Sequence, residues 1–223
     1  MSIFSKETLD FLKEVKKNNS KVWFEENKGW YHEDVLSPLK NLVNQLSGTL
    51  FEIDGDINVE AKKAISRIYR DTRFSKDKSL YKDRMWLQFN RRVDDKLDYP
   101  AFFFQITPYY FSYGMGFFSA SVDSMNAFRE MVDLDNKKFR KIIDELEGRN
   151  IFIPEGDMYK RNRYEGNDEK IKDWYNRKNL YLIYNSEDID ELFKESFVED
   201  LKEGYLLLAP LYHYFIQALA EFK

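Results

Sequence analysis

Residues 102–113, FFFQITPYYFSY, decide the fold. Two aromatic-rich runs, Phe102 to Thr107 and Tyr109 to Tyr113, flank Pro108, and runs of β-forming residues on either side of a turn residue predict two strands joined by a tight turn. So short a connection favours antiparallel neighbours, because a parallel pair needs a crossover of about a dozen residues. Upstream, Met85, Leu87 and Phe89 alternate with Trp86, Gln88 and Asn90, the period of a strand with one buried and one wet face. Downstream, Leu180 to Tyr184 reads as another strand.

Helical patterns surround this centre. Ser5 is placed to cap a helix through about Lys17, with Thr8, Leu12 and Val15 on one side and Asn18 and Asn19 as the stop. Ser20 can cap a second helix carrying Trp23, Asn27, Trp30 and Tyr31. Ser37 and Pro38 restart the pattern in cap and first-turn positions, ahead of Leu39, Leu42, Val43 and Leu46 at core-facing spacing. Asp135 starts a helix with Phe139, Ile142, Ile143 and Leu146, stopped by Gly148. Ser186 can cap the first closing helix, and Pro210 either kinks the last helix or begins a new one. The expected fold is α+β, a mainly antiparallel sheet flanked by N-terminal and C-terminal helices. The expected organisation is a single domain over 1–223, helical in 1–50, sheet-forming in 60–120, and mixed and helical in 121–223.

A chain of 223 residues, 43% hydrophobic and 17% aromatic, is long and apolar enough to bury one such core. It has no cysteine, hence no disulfide, thiolate nucleophile or Cys-ligated metal, which fits a reducing cytoplasm. The first residues, MSIFSKETLDFLKEVKK, lack the uninterrupted apolar core of a signal peptide. No apolar run reaches about 18 residues, so no membrane span is expected.

Chemistry concentrates in Arg67 to Asp83, RIYRDTRFSKDKSLYKD. From Ala61 to Arg84 there are nine cations against three anions, +6 locally; with the chain at -4, the remainder carries -10. A basic segment on an acidic body focuses anions toward one region without making a general polyanion binder. If residues 67–73 run extended, Arg67, Tyr69, Asp71 and Arg73 share one face and Ile68, Arg70 and Thr72 the other. An aspartate between arginines can orient their forks for a carboxylate or phosphate. The same pattern also suits an internal ion-pair network. Residues 75–82 are Lys-rich without periodicity and read as a loop.

These residues resemble the signature of the domain-of-unknown-function family 2461, widespread in bacteria, at Arg67, Tyr69, Arg70, Asp71, Arg73, Phe74, Lys76, Asp77, Lys78, Tyr81 and Lys82. Asn18, Asn19, Trp23, Phe24, Asn27 and Tyr31 are similar to the family's opening motif. Arg129, and Lys160 to Tyr164 ahead of Leu180, resemble its later basic and aromatic elements more loosely. Leu80 stands where the family usually carries proline. The resemblance covers nearly the whole chain and implies no activity, since the family has no established one.

Catalytic signatures are otherwise missing: no Gly-rich phosphate loop, no G-x-G-x-x-G, no G-x-S-x-G and no H-E-x-x-H. His32 and His213, far apart in sequence, argue against a His-based triad or zinc site, and no metal or cofactor is expected. His213, among Leu211, Tyr212, Tyr214 and Phe215, reads as a core or interface residue. Glu25-Glu26 and Asp94-Asp95 read as solvated surface. LYKDRMWLQFNRR interleaves aromatics with Arg84, Arg91 and Arg92, which suits base stacking or, more simply, a half-buried strand.

Lys160, Arg161, Arg163 and Tyr164 form a second basic and aromatic cluster ahead of Trp174, Arg177 and Lys178. Three function classes follow. The first is a pocket for a phosphorylated or carboxylated small molecule, contacted by Arg67, Tyr69, Arg70, Asp71, Arg73, Lys76, Lys78, Tyr81 and Lys82 together with Lys160, Arg161 and Tyr164. The second is a nucleic-acid or nucleotide-binding module, and the third a scaffold with an internal charge network. The expected partner is a small anion ahead of nucleic acid; catalysis, if any, and oligomeric state are left open by the sequence.

Overall fold

The computed structural model describes residues 2–73, 76–93 and 98–223. Phe74 of the signature and the Asp94-Asp95 pair lie outside the described residues. The fold is α+β, with a five-stranded antiparallel sheet in the order β1-β2-β3-β5-β4. The strands are β1 (Met85–Phe89), β2 (Ala101–Ile106), β3 (Phe111–Phe117), β4 (Ile153–Glu155) and β5 (Leu180–Ser186). The two at the β4 edge pair in antiparallel register, Ile153 opposite Ile183 and Glu155 opposite Tyr181.

The chain divides into two compact units. The first comprises residues 1–89, 103–113 and 185–202. It opens with α1 (Lys6–Lys17), α2 (Lys21–Glu26) and α3 (Lys28–Trp30). A π-helical stretch, Tyr31–Leu36, runs straight into α4 (Ser37–Ile53), and α5 (Ala61–Ala64) follows. The Ser20 side chain accepts from Trp23 N at 3.3 Å, capping α2 as its sequence position suggests. Ser37 caps nothing: Leu36 and Ser37 are both helical, and the chain continues through Pro38. Proline lacks the N–H that would bond the carbonyl four residues back. The widened π turn sits directly before it, and the orphaned Asp34 carbonyl accepts instead from the fully buried Thr8 hydroxyl at 2.6 Å.

β1 alternates buried and half-buried residues as its period predicts, with Trp86 stacked on Phe103 at 5.0 Å. The hairpin between β2 and β3 turns at residues 107–110, so Tyr109 and Tyr110 belong to the turn and not to the strand. The cause is Thr107: its hydroxyl accepts from Tyr109 N and Tyr110 N and donates to Tyr110 O. Phe4, Phe104, Phe111 and Phe197 meet at 5.4–6.1 Å in this unit's core, each such burial contributing about 1.5–3 kcal/mol.

The second unit comprises residues 90–102, 114–184 and 203–223. It contains α6 (Val122–Leu134), α7 (Asn136–Arg149) and α8 (Glu169–Tyr175). Asp135 caps α7 through Lys138 N at 3.0 Å, while the helix stops at Asn150, which adopts the left-handed conformation at φ 51°; Gly148 lies inside the helix. Phe128, Phe139, Trp174, Tyr214 and Phe215 form its aromatic core. The last helix, α9 (Phe197–Phe222), passes Pro210 without ending. In the first unit, Ser186 ends β5 and caps no helix; Asp188 caps the short 3-10 turn Ile189–Phe193 through Asp190 N. His213 is exposed on α9 and not in the core, because the buried stripe takes Tyr212 and Tyr214 on either side of it.

Candidate functional site

The signature folds as an antiparallel pair closed by a loop. Arg70 N donates to Leu80 O and Lys82 N to Ile68 O, both at 2.8 Å, and Tyr69 bridges Tyr81. The extended reading of residues 67–70 holds: Arg67 and Tyr69 are exposed while Ile68 is buried and Arg70 half-buried.

The N-terminal motif fastens this pair. The Asn19 side chain accepts from Leu80 N at 2.6 Å and Tyr81 N at 3.0 Å, and donates to Tyr81 O and Val15 O at 2.9 and 3.0 Å. One amide thus completes the hydrogen bonding of a chain segment about sixty residues away, as a neighbouring strand would. Phe24 on α2 stacks on Tyr81 with centroids 4.2 Å apart and planes 14° apart. Tyr31 and Tyr69 lie 5.5 and 5.9 Å from Phe24.

These rings border a cavity of about 310 Å³ lined by Phe24, Lys28, Tyr31, His32, Arg67, Ile68 and Tyr69. It lies at the small end of the roughly 300–1,000 Å³ range of ligand pockets. Its walls are aromatic and aliphatic, and Arg67, Lys28 and His32 supply polar groups. Among the described residues the Arg67 guanidinium has no ion-pair partner, whereas Lys28 meets Glu25 at 3.1 Å in an exposed pair of the kind that contributes little. Burial pushes the Tyr31 phenol up to about 12, with a further rise from Tyr69, so it stays protonated at neutral pH.

The other signature charges are engaged locally. Arg73 grips Asp71 in a two-pronged contact at 2.7 and 3.0 Å, which holds the Asp71 carboxyl below its ordinary range. Arg70 reaches Ser79 Oγ at 2.9 Å and Asp77 at 3.1 Å. Lys78 donates to Thr72 O and Lys82 to Arg67 O, and desolvation, with Arg70 and Arg84 nearby, lowers the Lys82 ammonium. Lys76 is exposed. Of the residues singled out in the sequence, Arg67 and Tyr69 therefore line the cavity, Tyr81 backs its aromatic wall, and Arg70, Asp71, Arg73, Lys78 and Lys82 shape the loop.

Lys160, Arg161 and Tyr164 belong to the other unit. Lys160 and Arg161 are exposed, while Tyr164 is buried against Tyr175 at 5.2 Å. Tyr164 also borders a cavity of about 260 Å³ with Arg140 and Asp168, which are paired with each other. Sequence reasoning missed Lys28, His32 and Ile68 as cavity residues, took Phe24 only as a motif match, and took Tyr31 as a motif match and a residue of the second helix. The signal was present: Phe24, Lys28, Tyr31 and His32 recur at i, i+4, i+7 and i+8, one helical face mixing rings with basic groups.

No group of three or more His, Asp and Glu able to hold a metal ion occurs among the described residues, and no described helix is long and apolar enough to cross a membrane. Fold and site together define an α+β protein whose two sequence motifs meet at one small aromatic cavity. The chain belongs to the family described as conserved hypothetical protein (DUF2461), whose model matches residues 7–214. No curated protein matches it.

Proposed function

We propose that the protein binds a small carboxylate or phosphate carrying a flat apolar body, in the cavity bordered by Phe24, Tyr31, Arg67 and Tyr69. The observation that carries this reading is Arg67, a cation without an ion-pair partner among the described residues, at the rim of an aromatic-walled cavity. Its guanidinium fork matches a carboxylate or phosphate edge, the rings accept a planar body, and the protonated Tyr31 phenol is a hydrogen-bond donor. The cysteine-free composition supports a cytoplasmic setting.

A second reading has its own support. Arg70 pairs with Asp77 and Arg73 with Asp71, two separate local pairs that support a scaffold role for these charges, so Arg70, Asp71, Arg73 and Asp77 act in this proposal as the frame of the site and not as its contacts.

The test is thermal unfolding with two aromatic monocarboxylates, benzoate and phenylacetate, on the parent, Arg67→Ala and Arg70→Ala. Ligand at 100 times its Kd raises stability by about 2.7 kcal/mol. Stabilisation of the parent, lost in Arg67→Ala and kept in Arg70→Ala, is expected. Equal stabilisation of parent and Arg67→Ala, or no effect of either compound on the parent, overturns the proposal.

A further inference from the structure

The second unit gathers cations around one ring. Arg163 lies 4.3 Å, Arg129 5.2 Å and Lys178 5.8 Å from the centroid of Tyr159. Arg129 is 5% exposed, yet its guanidinium meets no carboxylate among the described residues. It is held by the Tyr175 and Arg177 carbonyls at 3.0 and 2.6 Å and by Asn126 Oδ1 at 3.1 Å. Buried charges are ordinarily paired with an opposite charge; here only carbonyl, amide and ring dipoles face the cation.

The arrangement is built and not incidental. Buried Asn176 receives Arg163 N on its side chain at 2.7 Å and Tyr159 N on its backbone carbonyl at 2.8 Å. It also donates to Asn162 Oδ1. The loop over residues 159–163 is therefore pinned with Arg163 against the same ring that Arg129 approaches. Neither Arg163 nor Lys178 forms an ion pair among the described residues, so three like charges share one ring and repel one another. Burial and the neighbouring Arg163 lower the Arg129 guanidinium accordingly.

We propose that this cluster is a second anion site, separate from the Arg67 cavity, which takes the phosphate group of a small molecule through Arg163, Lys178 and Tyr159, with Arg129 supplying fixed charge from beneath the ring. A multivalent phosphate neutralises several of the charges at once, where a monocarboxylate would leave most of them opposed. Glu155 and Asp157 before the cluster, and Glu165, Asp168 and Glu169 after it, disfavour a long polyanionic strand.

The experiment is calorimetric titration of the full chain with inorganic pyrophosphate at low ionic strength, on the parent, Arg163→Ala/Lys178→Ala and Arg67→Ala, with a single-stranded oligonucleotide as competitor probe. Arg163 and Lys178 are exposed, and thermal unfolding checks that the double variant stays folded. The single changes Arg163→Gln and Lys178→Gln stand in if it does not. The expected result is parent binding that weakens about tenfold or more in the cluster variants and is unchanged in Arg67→Ala. No binding to the parent, undiminished binding in the cluster variants, or loss in Arg67→Ala alone overturns the proposal. Binding of the oligonucleotide but not pyrophosphate overturns it in favour of nucleic acid. The benzoate and phenylacetate responses of Arg67→Ala read the Arg67 cavity, and the pyrophosphate response of the cluster variants reads this site, so the two sites fail separately.

Discussion

The Thr8 hydroxyl of α1 donates to the Asp34 carbonyl, the acceptor whose helical donor would have been the imino nitrogen of Pro38. A side chain from one helix thus repairs the backbone of another, and the repair explains why a fully buried threonine sits on an otherwise apolar face.

Thr8→Val keeps shape and removes the hydroxyl, leaving the Asp34 carbonyl without its donor and Ser5 N without the Thr8 acceptor of its capping box. The expected cost is about 1–3 kcal/mol, seen as a lower midpoint in chemical denaturation with an unchanged slope, while Thr8→Ser retains most of the parent's stability. A Val variant as stable as the parent would show that water or another group reaches the carbonyl.

Tyr31 gives the protein an alkaline limb. Its folded pKa, about 12, lies above the ordinary 10. The folded state therefore holds the proton more tightly, and the resulting stability is complete below about pH 10 and is lost as pH rises through about 12. The span is worth about 2–3 kcal/mol at 1.36 kcal/mol per tenfold. Denaturation of parent and Tyr31→Phe between pH 9 and 12 should show the parent losing more stability over that range (roughly this amount). Parallel curves would mean that the phenol ionises as it does in the unfolded chain.

Two glycines should respond oppositely to alanine. Gly156 has φ 134°, and a Cβ there would collide with the Asn179 carbonyl oxygen, so Gly156→Ala should destabilise. Gly148, inside α7 with no atom within 4 Å of the added carbon, should gain about 0.4–1 kcal/mol from Gly148→Ala. Thermal unfolding of both variants reads the two signs directly.

The Arg73 and Asp71 side chains are largely exposed, at 78% and 54%. Surface pairs of this kind contribute little, so Arg73→Ala should leave the melting temperature unmoved. Arg70→Ala, losing a side chain only 18% exposed with two partners, should lower it.

What the sequence revealed follows from how local each cause is. The alternation of residues 85–89 is legible because one face of β1 is wet, and the hairpin because Pro108 marks its turn. Tyr109 and Tyr110 were misplaced because one hydroxyl, that of Thr107, bonds both of their amides, a choice that strand propensity does not encode. The π turn before Pro38 was illegible because it is tied to Thr8, about thirty residues distant. For the cavity, the charge density of residues 67–83 marked the right segment. It could not tell Arg67, which borders the cavity, from Arg70 and Arg73, which find acids a few residues away. That distinction depends on where the loop returns, and the Asn19 side chain holds the returning strand.

Asn19 is followed by Ser20, and asparagine ahead of a small residue is a place where side-chain amides hydrolyse with time. Here the amide nitrogen faces two carbonyl oxygens, Val15 O and Tyr81 O. Hydrolysis to aspartate would set a negative oxygen against both, turning two attractions into two repulsions at the joint between the protein's two motifs. The four hydrogen bonds on the amide, and the Ser20 N–H held by Asn18 O, resist that hydrolysis, and Asn19→Asp, which makes the same one-dalton change directly, should lose the aromatic site before it loses the fold.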